Sequence, residues 1–255
     1  MYAAPGAYPG AMPGLPSAWD AERRKQIDRT KTGLLLLLIG SLIAWIPLIG
    51  ALGSLLILIG AILVIIGRKA FGRVHARSVM TALGLFILGV IGAIVLGVIF
   101  AISLISSISG QDPRTVATAF GNALNTLLIG TIIVGAISGI GSVLFTYALQ
   151  EKTGRMILWA AYVASVAVTV VIFAIISPLI KQAVNDAVAG GTYNSAPLLA
   201  LQNQQISLNL LHAIPSLLFA AAAYLAWARV NKGEIPPPTT PPGMPMAGAP
   251  PMSPR

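Results

Sequence analysis

Residues 33–67 read GLLLLLIGSLIAWIPLIGALGSLLILIGAILVIIG, which is 35 residues without one charged side chain. A membrane helix needs about 20 apolar residues, so this stretch is too long for a single crossing. Pro47 lies near its middle and would break a continuous helix, because it removes a backbone hydrogen bond and clashes with the preceding turn. The stretch therefore predicts two helices joined in a tight hairpin, with one long kinked helix as the alternative.

Four further apolar stretches follow, over residues 79–110, 116–149, 156–180 and 206–228, and each predicts one helix. Apolar residues make up 56% of the chain and charged residues 9%, whereas a soluble domain has roughly 45–50% and about 25%. The sequence therefore predicts an all-α, polytopic membrane bundle of six transmembrane helices.

The basic residues are unevenly distributed around these six predicted spans. The net charge is +9, and 14 of the 16 Lys and Arg residues fall on one side of the membrane, with only Arg114 and Lys181 on the other. Because Lys and Arg are enriched in cytoplasmic loops, both termini are expected in the cytoplasm and the protein in the cell membrane. Basic residues at the ends of apolar spans also argue against nucleic-acid binding.

Composition divides the chain into four parts. Residues 1–16 and 231–255 are rich in Pro, Gly and Ala and are expected to be disordered tails. Residues 17–31 are expected to form a basic juxtamembrane helix, and residues 32–230 the six-helix domain. The basic residues of the juxtamembrane helix predict contact with anionic lipid headgroups, with a pure topology signal as the alternative; they are Arg23, Arg24, Lys25, Arg29 and Lys31.

Residues that usually carry catalysis are missing from the apolar stretches. The chain has no cysteine, and no Asp, Glu, Lys or Arg lies inside those stretches. It also lacks a phosphate-binding loop, a dinucleotide glycine pattern and a paired-histidine zinc motif. His75, between Arg73 and Arg77, is expected to be solvated. No enzymatic activity and no cofactor is therefore expected.

Small residues recur at regular intervals and predict close helix packing, within the bundle or between subunits. Gly53, Gly60 and Gly67 repeat every seven residues in the second predicted span. Two stripes with four-residue spacing predict the same role; they are Gly89, Ala93, Gly97 and Ala101 in the third span, and Thr131, Gly135 and Gly139 in the fourth.

A few polar residues near membrane depth are candidates for ligand binding or gating. They are His212, which precedes Pro215, together with Asn122 and Asn209, and Asn209 is expected to face the bundle interior. Asn125 is a further candidate for a hydrogen bond between helices. The polar segment 182–205 is expected to be an external loop, with short helices at 185–189 or 198–201 as an option, and is the place where a soluble ligand or partner would bind.

Six predicted spans with Ser138 and His212 on the fourth and sixth resemble intramembrane proteases of the rhomboid type. That family acts through a Ser–His pair, but Ala136 replaces the glycine of its short motif. On straight helices the two residues would also differ in depth by about 6 Å. An intramembrane enzyme is therefore the least favoured function.

The segment from Lys31 to Gly72, with Trp45-Ile46-Pro47 and Gly67-Arg68-Lys69, resembles small archaeal multi-spanning membrane proteins of a family of unknown function. The resemblance implies an archaeal cell membrane and transfers no catalytic residue. The sequence favours a non-enzymatic bundle that interacts with membrane lipid, another membrane protein or a second copy of itself. A transporter or channel for an uncharged or lipid-like solute is the alternative.

Overall fold

The structure, a computed structural model, describes residues 18–108, 112–187 and 196–236. Those residues are almost entirely helical and include no strand, which confirms the all-α prediction. The tail predictions for 1–16 and for 237–255 lie outside the described residues, as does Ser17. The helices are α1 Ala18–Ile43, α2 Gly50–Gly67, α3 Gly72–Ile108, α4 Pro113–Tyr147, α5 Lys152–Ala187, α6 Ala196–Asn209 and α7 Ala213–Asn231, with 3-10 turns at Arg68–Phe71 and Leu210–His212.

Four helical segments in the described part of the chain are long and apolar enough to cross a membrane, not the six that were predicted. Charged side chains at Asp28, Arg29 and Lys31 leave only the last 11 residues of α1 apolar. The 3-10 turn after α2 carries the helical run on into α3, and a second such turn joins α6 to α7. The four segments are Gly50–Ser106, Thr118–Tyr147, Lys152–Asp186 and Leu199–Asn231.

α1 and α2 form an antiparallel pair with a glycine-lined seam, and the break between them lies at Pro47, as expected. Gly53, Gly60 and Gly67 are all buried in this seam. A Cβ on Gly53 would lie 2.6 Å from the backbone nitrogen of Ala44, and one on Gly67 would collide with Thr30. A seven-residue spacing returns to nearly the same face of a helix, which explains why the three glycines share one interface.

The remaining helices pack around this pair. α3 packs along α4, α5 lies against α4 and α7, and α7 closes the bundle against α1. A shared cluster at the basic end brings α1, α2, α3 and α7 together through Leu34, Val64, Val79 and Val230. The main core therefore lies where the chain carries its Lys and Arg residues.

The outer surface is apolar over most of its length. Side chains such as Leu58, Ile94, Ile133 and Val163 are about half exposed or more. Exposed apolar surface of this extent marks an interaction with lipid or with another protein. By length and composition, the apolar helices are therefore compatible with a membrane protein.

α1 runs through Lys31 without a break, so the basic juxtamembrane segment and the first apolar stretch are one helix. The segment 182–205 contains longer helical stretches than the short helices considered for it, because α5 continues to Ala187 and α6 begins at Ala196 and includes Gln202–Gln205. The part of that prediction over residues 188–195 lies outside the described residues.

Candidate ligand-binding cavities

A cavity of about 210 Å³ lies inside the bundle, between the α1–α2 pair and helices α3, α4 and α7. Its lining is apolar apart from four hydroxyl groups and includes no charged side chain. It is called the central cavity below. It is lined by Leu37, Ser41, Ala44, Ile57, Ala61, Phe86, Ser142, Phe145, Thr146, Ser216, Phe219 and Ala223.

Three of the four hydroxyl groups in the central cavity have unused hydrogen-bonding capacity. Ser41, Thr146 and Ser216 have no hydrogen-bond partner within the described ranges. Some helical hydroxyls elsewhere in the bundle are paired: those of Thr131 and Thr169 donate to the carbonyl four residues earlier. These hydroxyls can donate or accept hydrogen bonds, so the cavity suits an occupant with a matching polar group.

A second cavity of about 230 Å³ lies between α4, α5 and α7 and is also free of charged side chains. Its polar lining consists of hydroxyl groups, including those of Ser138, Tyr162 and Ser165. It shares Ser142 and Phe219 with the central cavity, so these two residues separate the two spaces.

A polar cluster lies at the basic end of the bundle, outside the two cavities. The Nε2 of Gln150 donates to the carbonyl of Ala222 at 2.7 Å, and Gln150 is buried. The Nη1 of Arg229 donates to the carbonyl of Leu149 at 2.8 Å, and its Nε lies 3.3 Å from Glu151. These contacts tie the end of α7 to the connection between α4 and α5.

His75 is buried, although the sequence predicted a solvated side chain. Only 1% of it is exposed, and its ring packs edge-on against Phe71 at 5.5 Å between centroids. Neither ring nitrogen has a partner in the described chain. Its two basic neighbours are exposed, so the charge pattern around His75 gave no signal that the helix turns this one residue inward.

The three polar candidates from the sequence do not line either cavity. His212 is half-buried in the 3-10 turn that joins α6 to α7. Asn122 and Asn209 are exposed, so Asn209 does not face the interior as predicted. The amide that connects two helices is Asn125, whose Oδ1 accepts a 2.7 Å hydrogen bond from the hydroxyl of Ser177.

The stripe on α3 leaves the helix interface after its first member. Gly89 is buried, and a Cβ there would collide with the hydroxyl of Ser138 on α4. Ala93, Gly97 and Ala101 are exposed. Each step of four residues turns about 40° beyond a full turn, so the stripe winds away from α4.

The predicted stripe on α4 likewise has one member that is packed against another helix and one that is not. A Cβ on Gly139 would lie 2.8 Å from the ring of Tyr162 on α5, whereas one on Gly135 would meet nothing within 4 Å. A contact between the exposed small residues and another protein stays a prediction.

The predicted headgroup-binding residues lie on the charged half of α1. Arg24, Lys25 and Arg29 line a shallow surface groove with Asp28 and Leu63. Within the described part of the chain, no group of three or more His, Asp and Glu residues is arranged to hold a metal ion.

Sequence reasoning missed the hydroxyl residues of the central cavity. One signal was present, since Ser138, Ser142 and Thr146 recur every four residues on one helix. Ser41 and Ser216 could not be placed beside them, because that requires knowing that α1 packs on α7. No family model matches this chain, and neither a curated protein nor a solved structure shows significant similarity to it.

Proposed function

We propose that this chain is a non-enzymatic integral membrane protein that binds a membrane lipid, or a similar uncharged lipid-like molecule, between its helices. The observation that carries the proposal is the central cavity, which combines an apolar wall with unpaired hydroxyls at Ser41, Thr146 and Ser216. Such a lining suits a ligand that is mostly hydrocarbon and has one or two uncharged polar groups.

The absence of charged side chains from both cavity linings disfavours charged ligands. Neither cavity contains an Arg or Lys that could neutralise a phosphate, or an Asp or Glu that could pair with an amine. A charged headgroup would lose its hydration without gaining a counter-charge, which is strongly unfavourable in apolar surroundings. An alcohol, ester or ketone group would instead pair with the free hydroxyls.

The size of the cavity limits what it holds. A volume of about 210 Å³ equals the liquid volume of about seven waters, which suits a polar group and a short piece of hydrocarbon chain. A longer lipid would place its remaining chain in the membrane, along the exposed apolar faces of the helices.

Transport of an uncharged or lipid-like solute is the second candidate, and the arrangement of the two cavities favours it. They adjoin at Ser142 and Phe219, so a rotation of the Phe219 ring would connect them. Coupling to protons or sodium ions is not part of this proposal, because no carboxylate lies in the apolar stretches. Replacing Phe219 with Ala should increase flux through reconstituted vesicles without changing helix content.

The cellular setting belongs to the same proposal. The protein lies in the cell membrane, with both termini in the cytoplasm and the basic face of α1 against anionic headgroups, supported by the uneven distribution of Lys and Arg. Another membrane protein or a second copy is the expected partner. The resemblance of residues 31–72 to archaeal membrane proteins supports an archaeal source.

Native mass spectrometry of the gently extracted protein tests ligand binding. We expect one defined lipid or small molecule to remain bound. Thr146→Val and Ser216→Leu should reduce its retention, because the first removes a hydroxyl and the second fills the cavity. Ser54→Ala is the matched control, since its hydroxyl is exposed and bonds to Gly50. A companion protein without any retained small molecule would contradict the cavity as the site of function.

A further inference from the structure

The α1–α2 pair is much shorter than the rest of the bundle. α2 has 18 residues and rises about 27 Å, which is at the short end for a helix that crosses a hydrocarbon core of about 30 Å, whereas the apolar part of α1 rises about 16 Å and is too short to cross it. α3, α4 and α5 have 37, 35 and 36 residues, so each is about twice as long as α2.

The base of the pair lies at the basic end of the bundle. Val64 on α2 packs in the cluster that includes Val79 on α3 and Val230 on α7. From Val64 to the first residue of α2, Gly50, the helix rises about 21 Å. An equal rise from Val79 reaches only Ala93, and α3 continues for about 22 Å beyond it to Ile108.

The packing of the pair against α7 gives the same height for its tip independently. A rise of about 21 Å from Val230 leads back to Ser216. Ser216 lines the central cavity together with Ala44, which is the residue directly after α1. The helical run continues from Ser216 to Ala196 at the start of α6, about 30 Å farther. Two neighbouring helices therefore place the tip of the pair near the middle of the bundle.

The chemistry of the tip does not suit a water-exposed turn. Residues 42–53 contain no charged, hydroxyl or amide side chain. Leu48 is fully exposed, and Ile49 and Leu52 are 42% and 60% exposed. Turns at a water surface usually contain Asn, Asp, Ser or Gly together with polar neighbours.

Part of the backbone of the turn is paired within the protein. The N–H of Ile46 donates to the carbonyl of Ile43 at 3.1 Å, and the N–H of Gly50 donates to the carbonyl of Ile46 at 2.8 Å. Pro47 has no N–H group to satisfy, whereas the N–H groups of Trp45, Leu48 and Ile49 have no backbone partner in the described chain. A bilayer core favours backbone groups that are paired within the protein.

We propose that the α1–α2 pair is a re-entrant hairpin that enters from the basic side and ends inside the hydrocarbon core. Its tip surface, formed by Leu48, Ile49 and Leu52, contacts lipid acyl chains. The four crossing elements are then α3, α4, α5 and the α6–α7 run. This inference rests on lengths and contacts and does not depend on the ligand proposed for the central cavity.

Single cysteines test this inference directly, because the chain has none of its own. The test residue is Ala51→Cys near the tip, with Leu52→Cys as a second variant. The controls are Lys69→Cys at the basic side and Gln182→Cys at the opposite side, and all four positions are exposed. In membrane vesicles of known orientation, an impermeant maleimide should label each control from one side only. It should label the tip cysteines from neither side until detergent is added.

A measurement of how deep the tip lies in the bilayer complements the labelling experiment, because it gives a positive result. A fluorophore attached at Ala51→Cys should be quenched most strongly by lipids that carry a spin label deep in the acyl chain. Labelling of both tip variants from the side that labels Gln182→Cys, with quenching by headgroup spin labels, would show a full crossing and overturn the proposal. Protection from the maleimide without quenching at any depth would show that protein covers the tip, and would overturn it too.

Discussion

Gly33 and Gly60 face each other across the seam between α1 and α2, and a Cβ added to either would lie 2.6 Å from the carbonyl oxygen of the other. The contact is therefore symmetric and is made by backbone atoms that cannot rotate away. The two helices therefore lie closer together than any side chain larger than hydrogen at these two positions would allow.

Replacing Gly60 with Ala should destabilise the protein, because the new methyl group pushes the two helices apart. Overpacking of this kind typically costs about 1–3 kcal/mol. The control is Gly97→Ala on α3, where an added Cβ meets nothing within 4 Å. That change should be neutral or stabilising, by up to about 1 kcal/mol, because Ala favours a helix over Gly. Thermal unfolding in detergent, followed by circular dichroism, measures both, and equal effects would show that the seam is not tight.

The different burial of the seven-residue and four-residue spacings has one geometric cause. Spacing by seven residues correctly identified the seam face of α2, because seven residues nearly complete two helical turns. Spacing by four residues did not mark one face of the bundle on α3, where Gly89 is buried and Gly97 is exposed. A contact of the exposed members with another protein stays a prediction.

The count of membrane helices and the cavity lining were harder to predict from the sequence. The apolar run 33–67 is long enough for two short helices, but its length alone does not show how deep the hairpin reaches. Ser41 lines the same cavity as Thr146 and Ser216 because α1 packs against α7. Helices that are apolar on all sides contain no pattern of charges from which their neighbours could be deduced.

Leu48 in the hairpin turn has a φ of 73°, a left-handed backbone conformation that residues with a Cβ rarely adopt. Its side chain is fully exposed, so replacing it removes no contact within the described structure. Leu48→Gly should therefore stabilise the hairpin by about 1 kcal/mol, since glycine adopts this conformation freely.

The control for the turn is Leu52→Gly, which places glycine within α2 instead. That variant should lose about 1 kcal/mol, because glycine is unfavourable inside a helix. Chemical unfolding of both proteins in detergent micelles gives the comparison. If Leu48→Gly proved as harmful as Leu52→Gly, the turn would not have the backbone described above.

Asn125 on α4 accepts a hydrogen bond of 2.7 Å from Ser177 on α5. Hydrogen bonds between membrane helices contribute about 0.6–2 kcal/mol, so Asn125→Ala and Ser177→Ala should each destabilise the protein within that range. The double variant should lose little more than either single one, because both remove the same bond. Asn122→Ala is the matched control on the same helix, where the exposed amide should be replaceable without effect. Additive losses in the double variant would show that the two residues do not interact.

Arg229 connects the end of α7 to the segment between α4 and α5. It does so through a hydrogen bond to a backbone carbonyl and through ion pairs with carboxylates. Its Nη1 donates to the carbonyl of Leu149, whereas its Nε pairs with Glu151 and Glu234, whose side chains are 66% and 43% exposed. Exposed ion pairs contribute at most about 1 kcal/mol and are screened by salt. A hydrogen bond from a charged donor to a carbonyl contributes about 1.5–3 kcal/mol.

Arg229→Ala should therefore cost about 1.5–3 kcal/mol, and most of that loss should persist at high salt. Glu151→Gln should cost less than about 1 kcal/mol and lose its effect as salt is added. Lys232→Ala, at an exposed position one turn farther along, controls for the removal of positive charge. Unfolding of the three variants at low and high salt measures the difference. If the effect of Arg229→Ala disappeared in high salt, the ion pairs and not the Leu149 carbonyl would hold the end of α7 in place.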